Sequence, residues 1–271
     1  FKLTGHALSV LFEDGLRFGL QWPCQTDRLP GKFAMSATPP PHSEEDPSGS
    51  DPNPDPGPKS REPLFNGLPG VVLVLGAVML GVQIADSMAA GQGGLAHGLI
   101  YWAGTLRTGA TAEAFPPAPG FGLSPYVLHV FVHFGWAHLL INLGALAAFG
   151  AVSRAPFGPG LRGDLGFLAF FFACAVGGAV LHQLTHMNAP SMMAGSSTAI
   201  SGLLAAAGWM RGGRAGMLRL AVPWFLINLA IALAGLVFPV PLAWAGHVGG
   251  LLVGMAAYPA FVRYLRVRPT V

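Results

Sequence analysis

Between residues 68 and 261 the chain repeats one pattern: long apolar runs, several close to 20 residues, separated by stretches that gather the arginines and prolines. About 20 apolar residues is the length a helix needs to cross the hydrocarbon of a bilayer. Inside lipid a spanning segment must satisfy its own backbone groups, and a single continuous run does so as a helix. The chain is 52% hydrophobic and 10% charged, under half the charged share of an ordinary soluble domain. The expected fold is therefore an all-α polytopic membrane protein.

Six spans are expected, at about 68–88, 127–151, 165–184, 196–210, 220–238 and 242–261. The fourth is short for a full crossing and reads as starting below the surface, with a buried and wet entry loop. Residues 91–123 are too broken to span, by Arg107, Glu113 and the proline-rich turn at 116–120, and read as a long loop lying partly in the interface. Basic residues sort by side. With both termini cytoplasmic, the loops after the second and fourth spans and the carboxyl end hold eight arginines, while the three opposite loops hold only Arg107. Six spans with both ends inside satisfy the positive-inside rule. Arginine carries every basic position after Lys59, the usage of a G+C-rich bacterial gene, so a bacterial cytoplasmic membrane is the expected location.

The domain organisation follows. Residues 64–271 form the six-span membrane domain; residues 1–63 read as a variable, largely disordered region. Its acidic stretch at 36–63, rich in proline and serine, lacks the apolar area to offset the entropy of ordering. Met35 reads as the start of translation, against a genuine interfacial segment before it. The net charge of +3 does not point to nucleic acid, because the arginines sit at the ends of apolar runs and set topology. Cys24 and Cys174 give neither a disulfide framework nor a metal spacing, and Cys174 reads as packing.

Polar groups inside the spans are costly and mark sites. His129, His133, His138 and Asn142 recur at four or five residues in the second span, on one broad side of a helix. Metal binding, proton transport, stabilisation of reaction charge and plain interhelical hydrogen bonding all fit that face. The acid of a helical HExxH zinc site is absent, and the only carboxylates after Glu62 are Asp86, Glu113 and Asp164, all at span ends or in loops. No metal or organic cofactor is called for. The nearest acid-base partner for a serine is then histidine. Ser197 and Ser201 lie on a small-residue face of the fourth span, and Gly246, Gly250 and Gly254 form a matching stripe beside His247 in the sixth. Facing stripes of small residues let helices approach closely, which brings His247 to Ser197, although serines on such a face also serve packing alone. With Ser197 in the first turn, free backbone amides surround it, and His138 and Asn142 supply further donors for an oxyanion. With no buried aspartate to orient His247, a dyad is expected rather than a triad.

Three pieces resemble the rhomboid family of intramembrane serine proteases: residues 133–142 with His138 and Asn142, the Gly195-Ser196-Ser197 opening of the fourth span, and Ala245-Gly246-His247-Val248-Gly249-Gly250 with Gly254. The resemblance covers residues 68–262 and implies a six-transmembrane helical bundle. It makes Ser197 the nucleophile and His247 the general base, with His138, Asn142 and the Ser197 backbone amide binding the oxyanion. Its partners would be single-span or other transmembrane protein substrates in a lipid bilayer, cut within or near their spans. The chain departs from the family pattern at Thr198, where glycine is usual and a β-branched side chain would crowd the oxyanion hollow. It departs again at Ser201, where an aromatic residue commonly stacks on the base, and at Ser124-Pro125, which stands in place of a Trp-Arg pair. These departures keep two alternatives: a catalytically inactive relative that binds membrane proteins, and a six-span transporter lined by the histidines.

Overall fold

The computed structural model describes residues 67–90, 94–238 and 242–265. The expectations for residues 1–63 and for Met35 lie outside the described residues. Helix α1 (Gly70–Ala90) is followed by the short α2 (Leu95–Gly104), strand β1 (Leu106–Thr108), and two single-turn helices, α3 (Gly109–Glu113) and α4 (Ser124–Leu128). A 3₁₀ turn (His129–Phe131) leads to α5 (Trp136–Arg154), and a second one (Ala155–Phe157) to α6 (Gly160–His186). Strand β2 (Ser191–Met193), α7 (Ser197–Ala234) and α8 (Trp244–Leu265) complete the order.

The core is apolar, yet large apolar side chains also cover the outside. On α1, Leu73, Val74, Val78 and Ile84 are exposed while Gln83 and Asp86 are buried. Apolar residues facing outward and polar ones inward is the arrangement a hydrocarbon solvent selects. Among the described residues five helices are long and apolar enough to cross a membrane: Gly70–Ala90, Trp136–Phe157, Gly160–His186, Ser197–Ala234 and Trp244–Tyr264. The expected fourth and fifth spans both lie in α7. At 1.5 Å per residue a straight helix of 38 residues would overshoot any bilayer. It does not run straight. Gly212 and Gly213 leave helical geometry, with Gly213 at φ +55°, and a methyl built on Gly208 would lie 2.7 Å from the Gly216 carbonyl oxygen. Residues eight apart meet only if the chain doubles back, so α7 is two arms, 197–211 and 214–234.

The second span also begins later than its apolar run. Residues 129 and 133 do not share a helix with His138 and Asn142: Gly135, at φ +106°, caps α5, and the chain before it is extended. A left-handed glycine breaks the hydrogen-bond ladder. The three histidines and the asparagine therefore do not form one helical face. The region expected to be a long first loop holds α2, β1 and α3, and is pinned by an antiparallel pairing of Leu106 with Met193, Arg107 with Met192 and Thr108 with Ser191.

The bundle centre is aromatic where helices are thick and glycine-lined where they are close. Phe157, Phe167, Phe170, Phe171 and Tyr258 are fully buried, and the Tyr258 hydroxyl donates to the Ser153 carbonyl at 3.0 Å. Arg154 donates to Asp164 at 2.8 Å, which closes the turn between α5 and α6. Between α8 and the first arm of α7, methyls built on Gly250 and Gly254 would overlap the backbone of Thr198 and Gly202. Gly246 faces the Met193 sulfur and the Thr198 methyl. Ser201 is placed differently from that seam and turns toward the second arm of α7. Cys174 is buried against Gly202.

Candidate active site

Ser197 is the first residue of α7, reached through Gly195 at φ +109°, whose amide donates to the His129 carbonyl at 2.8 Å. The turn leaves Ser197 half-buried at the head of a helix, where first-turn amides have no intrahelical acceptor. Across the glycine seam stands His247, nearly buried, with Nε2 2.8 Å from Ser197 Oγ. Close packing at Gly246, Gly250 and Gly254 thus sets the distance between serine and histidine.

The second span supplies the opposite wall. His138 lies across Gly195, and a methyl built on that glycine would meet His138 Nε2 at 2.8 Å and Ser197 Oγ at 3.7 Å. The Phe134 amide donates to His138 Nδ1 at 3.3 Å, so the ring proton resides on Nε2, the nitrogen turned toward the serine. Asn142, buried one turn on, donates from Nδ2 to the His138 carbonyl at 2.8 Å and accepts from the Ser196 hydroxyl at 3.0 Å. One amide hydrogen of Asn142 is left over by these bonds. His133, beside His138 with ring centroids 5.2 Å apart, is buried with neither ring nitrogen bonded to protein.

Thr198 does not crowd this hollow. Its Oγ1 donates to His129 Nε2 at 2.9 Å, and its methyl faces Gly178 and Gly246. The His129 ring donates from Nδ1 to the Pro125 carbonyl at 2.8 Å, so threonine, histidine and the Ser124-Pro125 corner form one buried support beneath Gly195. Ser124 adds a bond to the Ala103 carbonyl at 2.7 Å. The threonine hydroxyl needs a partner, and His129 is placed to accept it.

Two neighbours of His247 escape a reading of motifs. Asn228, fully buried on the second arm of α7, has Oδ1 2.8 Å from His247 Nδ1. Trp224, one turn before it, lies against the His247 ring with centroids 5.5 Å apart and donates from Nε1 to Ser201 Oγ at 3.0 Å. His247, for which the sequence offers no orienting aspartate, thus has a carboxamide against Nδ1. The small Ser201 leaves room for an aromatic ring that arrives from the neighbouring arm. The signal was available: Asn228 is a lone carboxamide in an otherwise apolar span, and such a group is buried only against a partner.

Among the described residues no group of histidines, cysteines or carboxylates is arranged to hold a metal ion. A serine hydrogen-bonded to a buried histidine, at a helix head and opposite a donor-bearing histidine, is an arrangement suited to acyl transfer. A search among curated proteins finds no match. A family model described as the Rhomboid domain matches residues 121–264, which takes in α4 to α8 and every group of this site. More than half of the chain lies within that match, and the integral membrane protein it describes belongs to the rhomboid family, whose members are generally intramembrane serine proteases.

Proposed function

We propose that this chain is an intramembrane serine endopeptidase that hydrolyses peptide bonds in or beside transmembrane segments of other proteins. The observation that carries the reading is the 2.8 Å contact between Ser197 Oγ and His247 Nε2 at the head of α7. His247 takes the hydroxyl proton as Ser197 attacks the scissile carbonyl carbon, giving a tetrahedral intermediate. The oxyanion faces the Ser197 amide, His138 Nε2–H and the remaining amide hydrogen of Asn142. Collapse breaks the C–N bond as His247 returns the proton to the leaving amine. Water, deprotonated by the same histidine, then attacks the acyl carbon, and His247 returns that proton to Ser197 Oγ as the ester C–O bond breaks. A substrate helix shields its own amides, so it must open locally before attack. Ser197 lies just after β2, which pairs with the strand carrying Arg107, so entry for water is assigned to that side and not to the arginine-rich turns.

The test is purified protein in lipid vesicles with a panel of single-span substrates, each cut mapped by mass spectrometry. Cleavage within or immediately beside the span is expected. Cleavage confined to distant soluble segments, or no cleavage of any substrate by folded protein, would sink the reading. The oxyanion assignment has its own expected result: His138→Ala lowers kcat about 10²-fold, the loss of about 3 kcal/mol typical for one such donor. A change under threefold would remove His138 from that role.

A further inference from the structure

The five hydrogen bonds around Ser197 and His247 close on themselves. Ser197 Oγ–H donates to His247 Nε2 at 2.8 Å, and His247 Nδ1–H donates to Asn228 Oδ1 at 2.8 Å. Asn228 Nδ2 donates to the Trp224 carbonyl at 2.9 Å, and Trp224 Nε1 donates to Ser201 Oγ at 3.0 Å. Ser201 Oγ–H then donates to the Ser197 carbonyl at 2.7 Å, back on the residue where the circuit began. Each donor has one acceptor, and the directions agree around the ring. Such agreement fixes what a carboxamide alone leaves open. Because Nδ2 is committed to the backbone carbonyl one turn earlier, only Oδ1 can face the histidine, and only the Nδ1–H tautomer can answer it.

The second arm of α7 has little else to bury near this level. Val222, Phe225, Leu226, Ile227 and Leu229 are exposed, and Asn228 is wholly buried among them. A fully buried carboxamide on a lipid-facing segment costs stability unless its partner holds it there. We infer that Asn228 is a positioning residue for the reaction: it holds His247 in the tautomer that leaves Nε2 free to accept the Ser197 proton, with Trp224 and Ser201 aligning it. The inference rests on the serine-peptidase reading. Asn228 takes no proton. It accepts a hydrogen bond whose strength grows as His247 becomes positively charged during attack. The fifth span thereby belongs to the catalytic apparatus although it contributes no reacting atom.

Cleavage kinetics of Asn228→Leu and Asn228→Asp against wild type test this. Asn228→Leu is expected to lower kcat at least tenfold with KM within twofold, since position 228 is fully buried. Asn228→Asp is expected to keep kcat within threefold of wild type, because the protonated carboxyl donates from one oxygen to the Trp224 carbonyl and offers Nδ1–H the other. Equal loss in both variants, or a kcat for Asn228→Leu within twofold of wild type, would overturn the inference. A second measurement needs no variant at this position. Solid-state ¹⁵N spectra of histidine-labelled wild-type protein, with His247 assigned by its absence in His247→Ala, should show the neutral ring protonated at Nδ1. A proton on Nε2 would overturn the inference. Covalent labelling of wild-type Ser197 by a fluorophosphonate separates the two levels: no label at Ser197 overturns both readings, whereas label at Ser197 with an indifferent Asn228 overturns only this one.

Discussion

His247→Ala and Ser197→Ala are each expected to abolish substrate cleavage while leaving the bundle folded. In a soluble serine protease, removing either the serine or the histidine alone costs about 10⁶-fold in kcat, because the two act as one unit. The same loss is expected here from the 2.8 Å contact between the two side chains. The double variant should be no worse than either single one. Ser197 is half-buried, so thermal unfolding of Ser197→Ala in detergent should shift far less than its activity; His247 is buried and partners Asn228, so His247→Ala is expected to lose some stability as well. Cleavage by His247→Ala within tenfold of wild type would remove the histidine from proton transfer. Additive losses in the double variant would show two independent contributions.

Gly250→Ala is expected to cost about 3 kcal/mol of stability, at the upper end of ordinary overpacking. The added methyl would land on the Thr198 carbonyl, with Thr198 C 2.7 Å away and the Cys174 carbonyl oxygen 3.3 Å away. All of these are backbone atoms. A side chain can rotate from an intruder, whereas two helix backbones can only part. Parting them also moves His247, one turn back on the same helix, from Ser197, so activity falls with stability. Gly81→Ala is the contrasting case, with nothing within 4 Å of the built methyl. It should be neutral or gain up to about 1 kcal/mol from better helix propensity. A thermal midpoint for Gly250→Ala equal to that of wild type would contradict the close approach of α7 and α8.

The helical membrane architecture was legible because length and apolarity alone decide it: runs such as 68–88 leave no other way to satisfy their backbone groups in lipid. Ser197 and His247 were legible for the same reason turned around, as polar groups in segments that cannot solvate them. Segment ends were not. Gly135 and the Gly212-Gly213 pair carry backbone conformations that hydropathy does not encode, so the apolar run at 127–151 looked continuous although α5 begins at Trp136. The same blindness put His129 and His133 on a helix with His138. Thr198 and Ser201 read as departures from a pattern until their partners, His129 and Trp224, were in view. Asn228 was passed over because one carboxamide in an apolar run has no motif. Its meaning lies in what the neighbouring span places against it.

The most direct measurement is the identity of the residue that carries the adduct after wild-type protein in lipid vesicles reacts with a fluorophosphonate. The account expects a single modified peptide containing Ser197, with labelling lost in Ser197→Ala and suppressed by a competing single-span substrate. An adduct on another residue, or substrate cleavage by protein whose Ser197 stays unmodified, would contradict Ser197 as the nucleophile.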